Sequence, residues 1–220
     1  TATCSAAAAS IAARFAAEGT EDGMRVWVPG CATGEEAFTV VMVIARAMGF
    51  PANLSERIKV FATDLDDAAL EFARRGSYPA AAAERLPPDL RERFTETSGT
   101  SVAVAAAVKD CVVFARHNLA VDPPFLRVDL VSCRNVLIYF ESELQDAVLR
   151  TIHYALKPGG IMVLGTSEGV GYLSDAFTPL SSKLRIYRRG VQGLDVPRVA
   201  GAQPTRSVSP ARPLRHSKQS

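Results

Sequence analysis

The 220-residue sequence predicts an α/β fold, a mostly parallel sheet flanked by helices, and three observations point to it. Residues 25–28, Arg-Val-Trp-Val, form an apolar strand that passes through a glycine turn straight into an amphipathic helix at 35–48. A second apolar run at 58–63 is again followed by a helix, 67–75, closed by Gly76, so strand and helix alternate as in βαβ units. The pattern returns with a strand at 128–133, a helix at 141–156 and a strand at 161–164 entered through Lys157-Pro158-Gly159-Gly160.

Taken in order, the chain opens with an alanine-rich helix at 5–18 closed by Gly19, and residues 1–20 are set apart from a main domain at 21–189. The helix at 35–48 places Phe38, Val41, Met42 and Ala45 at helical spacing before Gly49 stops it. After residue 76 the rhythm breaks at Pro79, Pro87 and Pro88, and a short helix is expected at 89–94. Residues 101–108 and 111–116 read as two strands joined at Lys109-Asp110, a small antiparallel element within an insert of about 77–116. In the helix at 141–156, Leu144, Val148, Ile152 and Leu156 share one face, and residues 184–188 are the last candidate strand.

Composition bounds the function. The net charge is +2, but from Arg185 onward there are eight Lys/Arg and one Asp, a local +7 that leaves −5 on residues 1–184. The stretch 190–220, rich in Pro, Ser and Arg, has the composition of a disordered basic tail. It lacks aromatics to stack on bases and the body has no basic stripe, so no nucleic-acid role is expected. No run of about 18 apolar residues suggests a membrane span, and the start lacks a signal-peptide profile, so a cytoplasmic location is expected. Cys4, Cys31, Cys111 and Cys133 form no C-x-x-C pair, so neither a metal site nor a disulfide framework is indicated. The oligomeric state is not legible.

Ligands of open parallel sheets bind beyond the carboxyl ends of the strands. Four features fall at such ends: the turn from Gly30 to Glu36, Asp64, His117-Asn118-Leu119, and Arg134-Asn135-Val136. Gly30 and Gly34 allow unusual φ and close approach of a ligand to the backbone, and the following helix aims unsatisfied N–H groups at the turn. Glu35 and Glu36 would repel a phosphate there, which favours a neutral or cationic ligand. Asp64 can accept two ribose hydroxyls, and Asn118 and Asn135 offer amide groups to an adenine edge or an amino-acid group. Plainer roles stay open: Asp64 as a helix cap, for which Asp66 has the better spacing; Asn118 as a loop ligand; Glu35 and Glu36 as first-turn acids; His117 and His153 as structural histidines. No catalytic Ser/His/Asp or Cys/His set is found, and the G-x-x-x-G spacing argues against a dinucleotide dehydrogenase.

The combination V-P-G-C-A-T-G-E-E, A-T-D-L-D, H-N-L, S-C-R-N-V-L-I-Y-F and L-K-P-G-G, in that order, resembles the CheR-type chemoreceptor glutamate methyltransferases. It is most similar to the methyltransferase segment of hybrids that also carry a methylesterase domain, and it covers about residues 20–189. The resemblance implies a Rossmann-like class I fold dependent on S-adenosylmethionine, transferring methyl groups to receptor glutamates in bacterial chemotaxis. It implies that Gly30, Gly34, Glu35, Asp64, Asn118, Leu119, Asn135 and Val136 form the cofactor site. It also implies that the cytoplasmic region of a methyl-accepting receptor is the partner, and that the insert sits where some members dock a receptor's C-terminal peptide. The family's N-terminal helical domain and its T-x-F-F-R-like motif have no counterpart here. The chain is therefore either a fragment of a longer enzyme or a truncated, non-catalytic module that binds cofactor or receptor tails. The chemistry is consistent with the residues: a glutamate of ordinary pKa, about 4.3, is already the nucleophilic carboxylate at neutral pH, so no general base is needed.

Overall fold

The computed structural model describes residues 23–190, so the expected helix at 5–18 and nearly all of the basic tail lie outside the described residues. Its main sheet has seven strands, β1 (Met24–Pro29), β2 (Ile58–Asp64), β6 (Val112–Arg116), β7 (Val128–Cys133), β8 (Leu156–Leu164), β9 (Phe177–Ser181) and β10 (Ile186–Arg189). The spatial order is β6-β2-β1-β7-β8-β10-β9. The first five run parallel, while β10 is antiparallel to both β8 and β9. Successive strands step outward from β1 through β2 to β6, and the order then reverses across β1 to β7 and β8. That reversal opens a crevice between the carboxyl ends of β1 and β7, where open α/β sheets take ligands.

Alternation along the strands sorts the core into two layers. Val26, Val28, Val60, Ala62, Leu130 and Ile161 face α1 (Glu35–Ala47), α3 (Asp67–Arg75) and the insert. Trp27, Val131, Cys133, Met162 and Leu164 face α7 (Ser142–Ala155), through Val148, Leu149 and Ile152. β7 is buried at all six positions, as a central parallel strand covered on both faces must be. Helix α3 is capped by Asp66, whose carboxylate accepts from the backbone N–H groups of Ala68 (2.8 Å) and Ala69 (3.1 Å), the cap its spacing predicts.

The insert differs from expectation. Only residues 101–104 of the run 101–108 are extended, as β5 (Ser101–Val104), and α6 (Ala106–Lys109) replaces the expected turn. β5 instead pairs with β3 (Ser77–Pro79) and β4 (Thr95–Ser98) in a three-stranded antiparallel sheet. The run 112–116 leaves the insert and joins β2 in parallel as the partly exposed edge strand of the main sheet. Between β3 and β4 lie α4 (Ala80–Ala83) and α5 (Pro88–Phe94), and the short α2 (Leu54–Arg57) precedes β2. β9 was not read from the sequence, and β8 begins at Leu156, taking in the K-P-G-G stretch with a register irregularity opposite Val128 and Leu130.

Candidate cofactor-binding site

The turn after β1 is built on two left-handed glycines, Gly30 (φ +65) and Gly34 (φ +86), with Ala32 also at positive φ. A Cβ on Gly30 would lie 2.3 Å from Val136 Cγ2, so the turn packs directly against the corner that follows β7. Asp64, at the end of β2, holds the turn from the other side. One of its carboxylate oxygens accepts from Ala32 N–H (2.8 Å) and the other from Asp66 N–H (3.0 Å).

A cavity of about 420 Å³ lies over these carboxyl ends, with Gly30, Asp64, Leu119, Asn135, Val136 and Tyr139 in its walls. Leu65, His117, Asn118 and Phe140 complete much of the lining. Asp64, Asn118 and Asn135, read as convergent from the sequence, thus share one cleft with Gly30, Leu119 and Val136. Gly34 and Glu35 do not line it. Gly34 packs against Ala73 and Phe114, where a Cβ would meet heavy atoms at 2.8 and 3.0 Å. Glu35 accepts from the Thr33 hydroxyl (2.5 Å) and borders a separate crevice of about 50 Å³ between α1 and the insert. The insert is tied to the same turn by Tyr78, whose hydroxyl donates to Thr33 O (2.7 Å).

Glu36, about 100° further round the helix than Glu35, points instead at the end of β7. It accepts from Ser132 Oγ (2.6 Å) and pairs with Arg134 (3.0 Å), both side chains about three-quarters buried. Asn118 keeps its plainer role as well: its side-chain oxygen accepts from Ala120 N–H (3.0 Å), leaving the amide nitrogen as its donor. His117 Nε2 lies 3.0 Å from Pro123 O, and a carbonyl only accepts, so Nε2 carries a hydrogen. Its Nδ1 is buried with no partner among the described residues. The imidazole packs edge-on to Trp27, with ring centroids 5.5 Å apart, and Trp27 donates to Thr63 Oγ1 (3.1 Å).

Two residues escaped the sequence reading. Tyr139 stands 81% exposed at the cavity wall, and the buried Glu168 accepts four backbone N–H groups behind the Asn135 corner. Glu168 lies just beyond the carboxyl end of β8, and the rule that led to the other corners would have reached it. Burial pushes the Cys31 thiol up to about 12, with Asp64 adding to the shift, and burial also raises Cys133. These buried thiols stay protonated and are poor nucleophiles at neutral pH.

A doubly wound sheet with a mixed polar and apolar cavity at its switch point, an acid ending the second strand and no phosphate-type glycine fingerprint define a nucleoside-cofactor domain of the methyltransferase kind. The chain belongs to the CheR family: residues 5–186 match the model of the CheR methyltransferase, SAM binding domain. It is 44% identical over 165 residues to an uncharacterized 104.1 kDa protein in the hypE 3' region of Rhodobacter capsulatus, covering 75% of this chain and 17% of that one. To the putative methyltransferase Cher3 of Pseudomonas putida it is 35% identical, covering 77% of this chain and 64% of that one. To the chemotaxis protein methyltransferase of Escherichia coli it is 36% identical, covering 70% and 55%. The chain thus spans less than two thirds of the length of these relatives.

The residues present suit the family's cofactor, S-adenosylmethionine. Gly30 brings bare backbone to the cavity wall, Asp64 offers anionic acceptors beside it, and the buried His117 Nδ1 has no partner among the described residues.

Proposed function

We propose that the chain is the cofactor-binding and catalytic segment of a protein-glutamate O-methyltransferase that acts in the cytoplasm on methyl-accepting chemoreceptors. The observation that carries this reading is the single cavity in which Asp64 and Asn118 from one half of the sheet face Asn135 and Val136 from the other. When bound, S-adenosylmethionine supplies an electrophilic methyl group on a sulfonium sulfur. Asp64 favours a cationic ligand and accepts hydroxyl hydrogens, while Asn118 and Asn135 orient the polar edges of the nucleoside. Leu119, Val136 and Phe140 exclude water, which favours a displacement in which cation and carboxylate lose their charges. No side chain is required to move a proton.

The test is transfer of radiolabelled methyl from S-adenosylmethionine to cytoplasmic receptor fragments. Base-labile methyl esters on glutamate support the reading, and acid- and base-stable label points to another acceptor. A second reading is a module that binds cofactor without turnover. It is distinguished by binding of S-adenosylhomocysteine in calorimetry without label transfer.

A further inference from the structure

We infer that Glu168 is the positioning residue of the cofactor cavity, holding the Asn135–Val136 corner at the place the nucleoside requires; this rests on the cofactor reading above. Its side chain lies four residues beyond the end of β8 and is 5% exposed. One carboxylate oxygen accepts from Val136 N–H and Leu137 N–H, both at 2.8 Å. The other accepts from Asn135 N–H (3.0 Å) and Gly165 N–H (2.6 Å). A carboxylate offers about four lone-pair sites, and here each has a backbone donor.

Three consecutive N–H groups converging on one anion need a curled backbone, and Asn135 supplies it with φ +57. Asn135 and Val136 are cavity walls, whereas Glu168 itself is not, so it acts on the ligand only through them. Little slack remains around the corner. A Cβ on Gly165 would lie 2.4 Å from Asn135 Oδ1 and 2.7 Å from Glu168 Oε2, and Val136 already fills the space beside Gly30. Glutamine at 168 would turn one acceptor into a donor facing two N–H groups, and the corner would have to open.

The experiment measures S-adenosylhomocysteine binding by calorimetry in the unaltered chain, Glu168→Gln and Gly165→Ala, with Leu149→Ala as a core-truncation control on α7. Gly165→Ala crowds the corner without removing any hydrogen-bonding group, and it decides the matter if Glu168→Gln does not fold. Both variants are expected to bind ~10-fold or more weakly at temperatures where they remain folded, while Leu149→Ala loses thermal stability and keeps its affinity. Asn135→Gly is expected to weaken binding in the unaltered chain but to add nothing in the Glu168→Gln background. Unchanged affinity in both Glu168→Gln and Gly165→Ala overturns this inference alone. Failure of the unaltered chain to bind overturns the cofactor reading and this inference with it.

Discussion

Replacing Asp64 by asparagine separates the part of this carboxylate that holds the protein from the part that would hold a ligand. In the structure its two oxygens accept from Ala32 and Asp66 N–H at 2.8 and 3.0 Å. Asparagine keeps the shape and one acceptor, so one of the two backbone bonds is lost. At a partly exposed site that loss is about 1 kcal/mol, or about 2–4 °C in melting temperature for a domain of this size. A ligand hydroxyl bound to the charged oxygen would lose about 1.5–3 kcal/mol, equivalent to a rise of about 10- to 150-fold in Kd. Scanning calorimetry reads the first quantity and titration with S-adenosylhomocysteine the second. Asp66→Ala is the control: it removes the cap bonds to Ala68 and Ala69 at a similar cost of about 1 kcal/mol but is expected to leave affinity unchanged. Asp64→Asn with undiminished affinity would remove Asp64 from the ligand site.

Other outcomes follow from the same geometry. Gly30→Ala, with φ +65 and a Cβ 2.3 Å from Val136 Cγ2, is expected to abolish S-adenosylhomocysteine binding and to lower stability by about 2–4 kcal/mol; unaltered binding and melting would refute that packing. Trp27 is the sole tryptophan and fully buried against His117, so titration with cofactor is expected to change its emission, and His117→Phe to remove most of the change; an identical response in the variant would count against His117 as the link. A double-mutant cycle on Glu36→Gln and Arg134→Gln is expected to give a coupling of about 1 kcal/mol in thermal unfolding, and none if the 3.0 Å pair is absent in solution. His153 is 2% exposed, and burial, followed by repulsion from Arg189, lowers its pKa below the ordinary 6.5. The unfolded chain therefore takes up this proton first on acidification. The stability contribution is whole above pH 6.5 and falls as the pH drops from there toward the folded-state pKa. His153→Leu is expected to flatten that part of the profile of melting temperature against pH, and equal slopes in both proteins would exclude it.

The parts of the fold that local sequence dictates were legible. The strand, glycine turn and helix at 25–48, and the Asp66 cap, follow from apolar spacing and short-range hydrogen bonding that any window of a dozen residues displays. Residues 101–116 were misread because a run of Val and Ala carries no breaker. Whether Ala106–Lys109 coils and whether Val112–Arg116 pairs with its neighbour or with β2 is decided by distant strands. The two adjacent glutamates were hard to separate for a similar reason. Pattern places both in the first turn of α1, but only the packed structure directs Glu36 to Ser132 and Arg134 and leaves Glu35 beside the insert. Glu168 sits at a strand end where the same rule could have looked, but its task was not legible, because its partners at 135–137 are main-chain groups more than thirty residues away, which no side-chain motif announces.

The place of β1 between β2 and β7 has a thermodynamic consequence. The cavity is a seam: Asp64 and residues 117–119 come from one wing of the sheet, Asn135 and Val136 from the other, and no contiguous stretch of chain owns both. A molecule lodged there acts as a rivet between the wings, so partial opening of either one forfeits its entire binding energy. Saturation at about 100 times Kd should therefore raise the free energy of global unfolding by the full ~2.7 kcal/mol of mass action, sharpening one melting event rather than protecting one region.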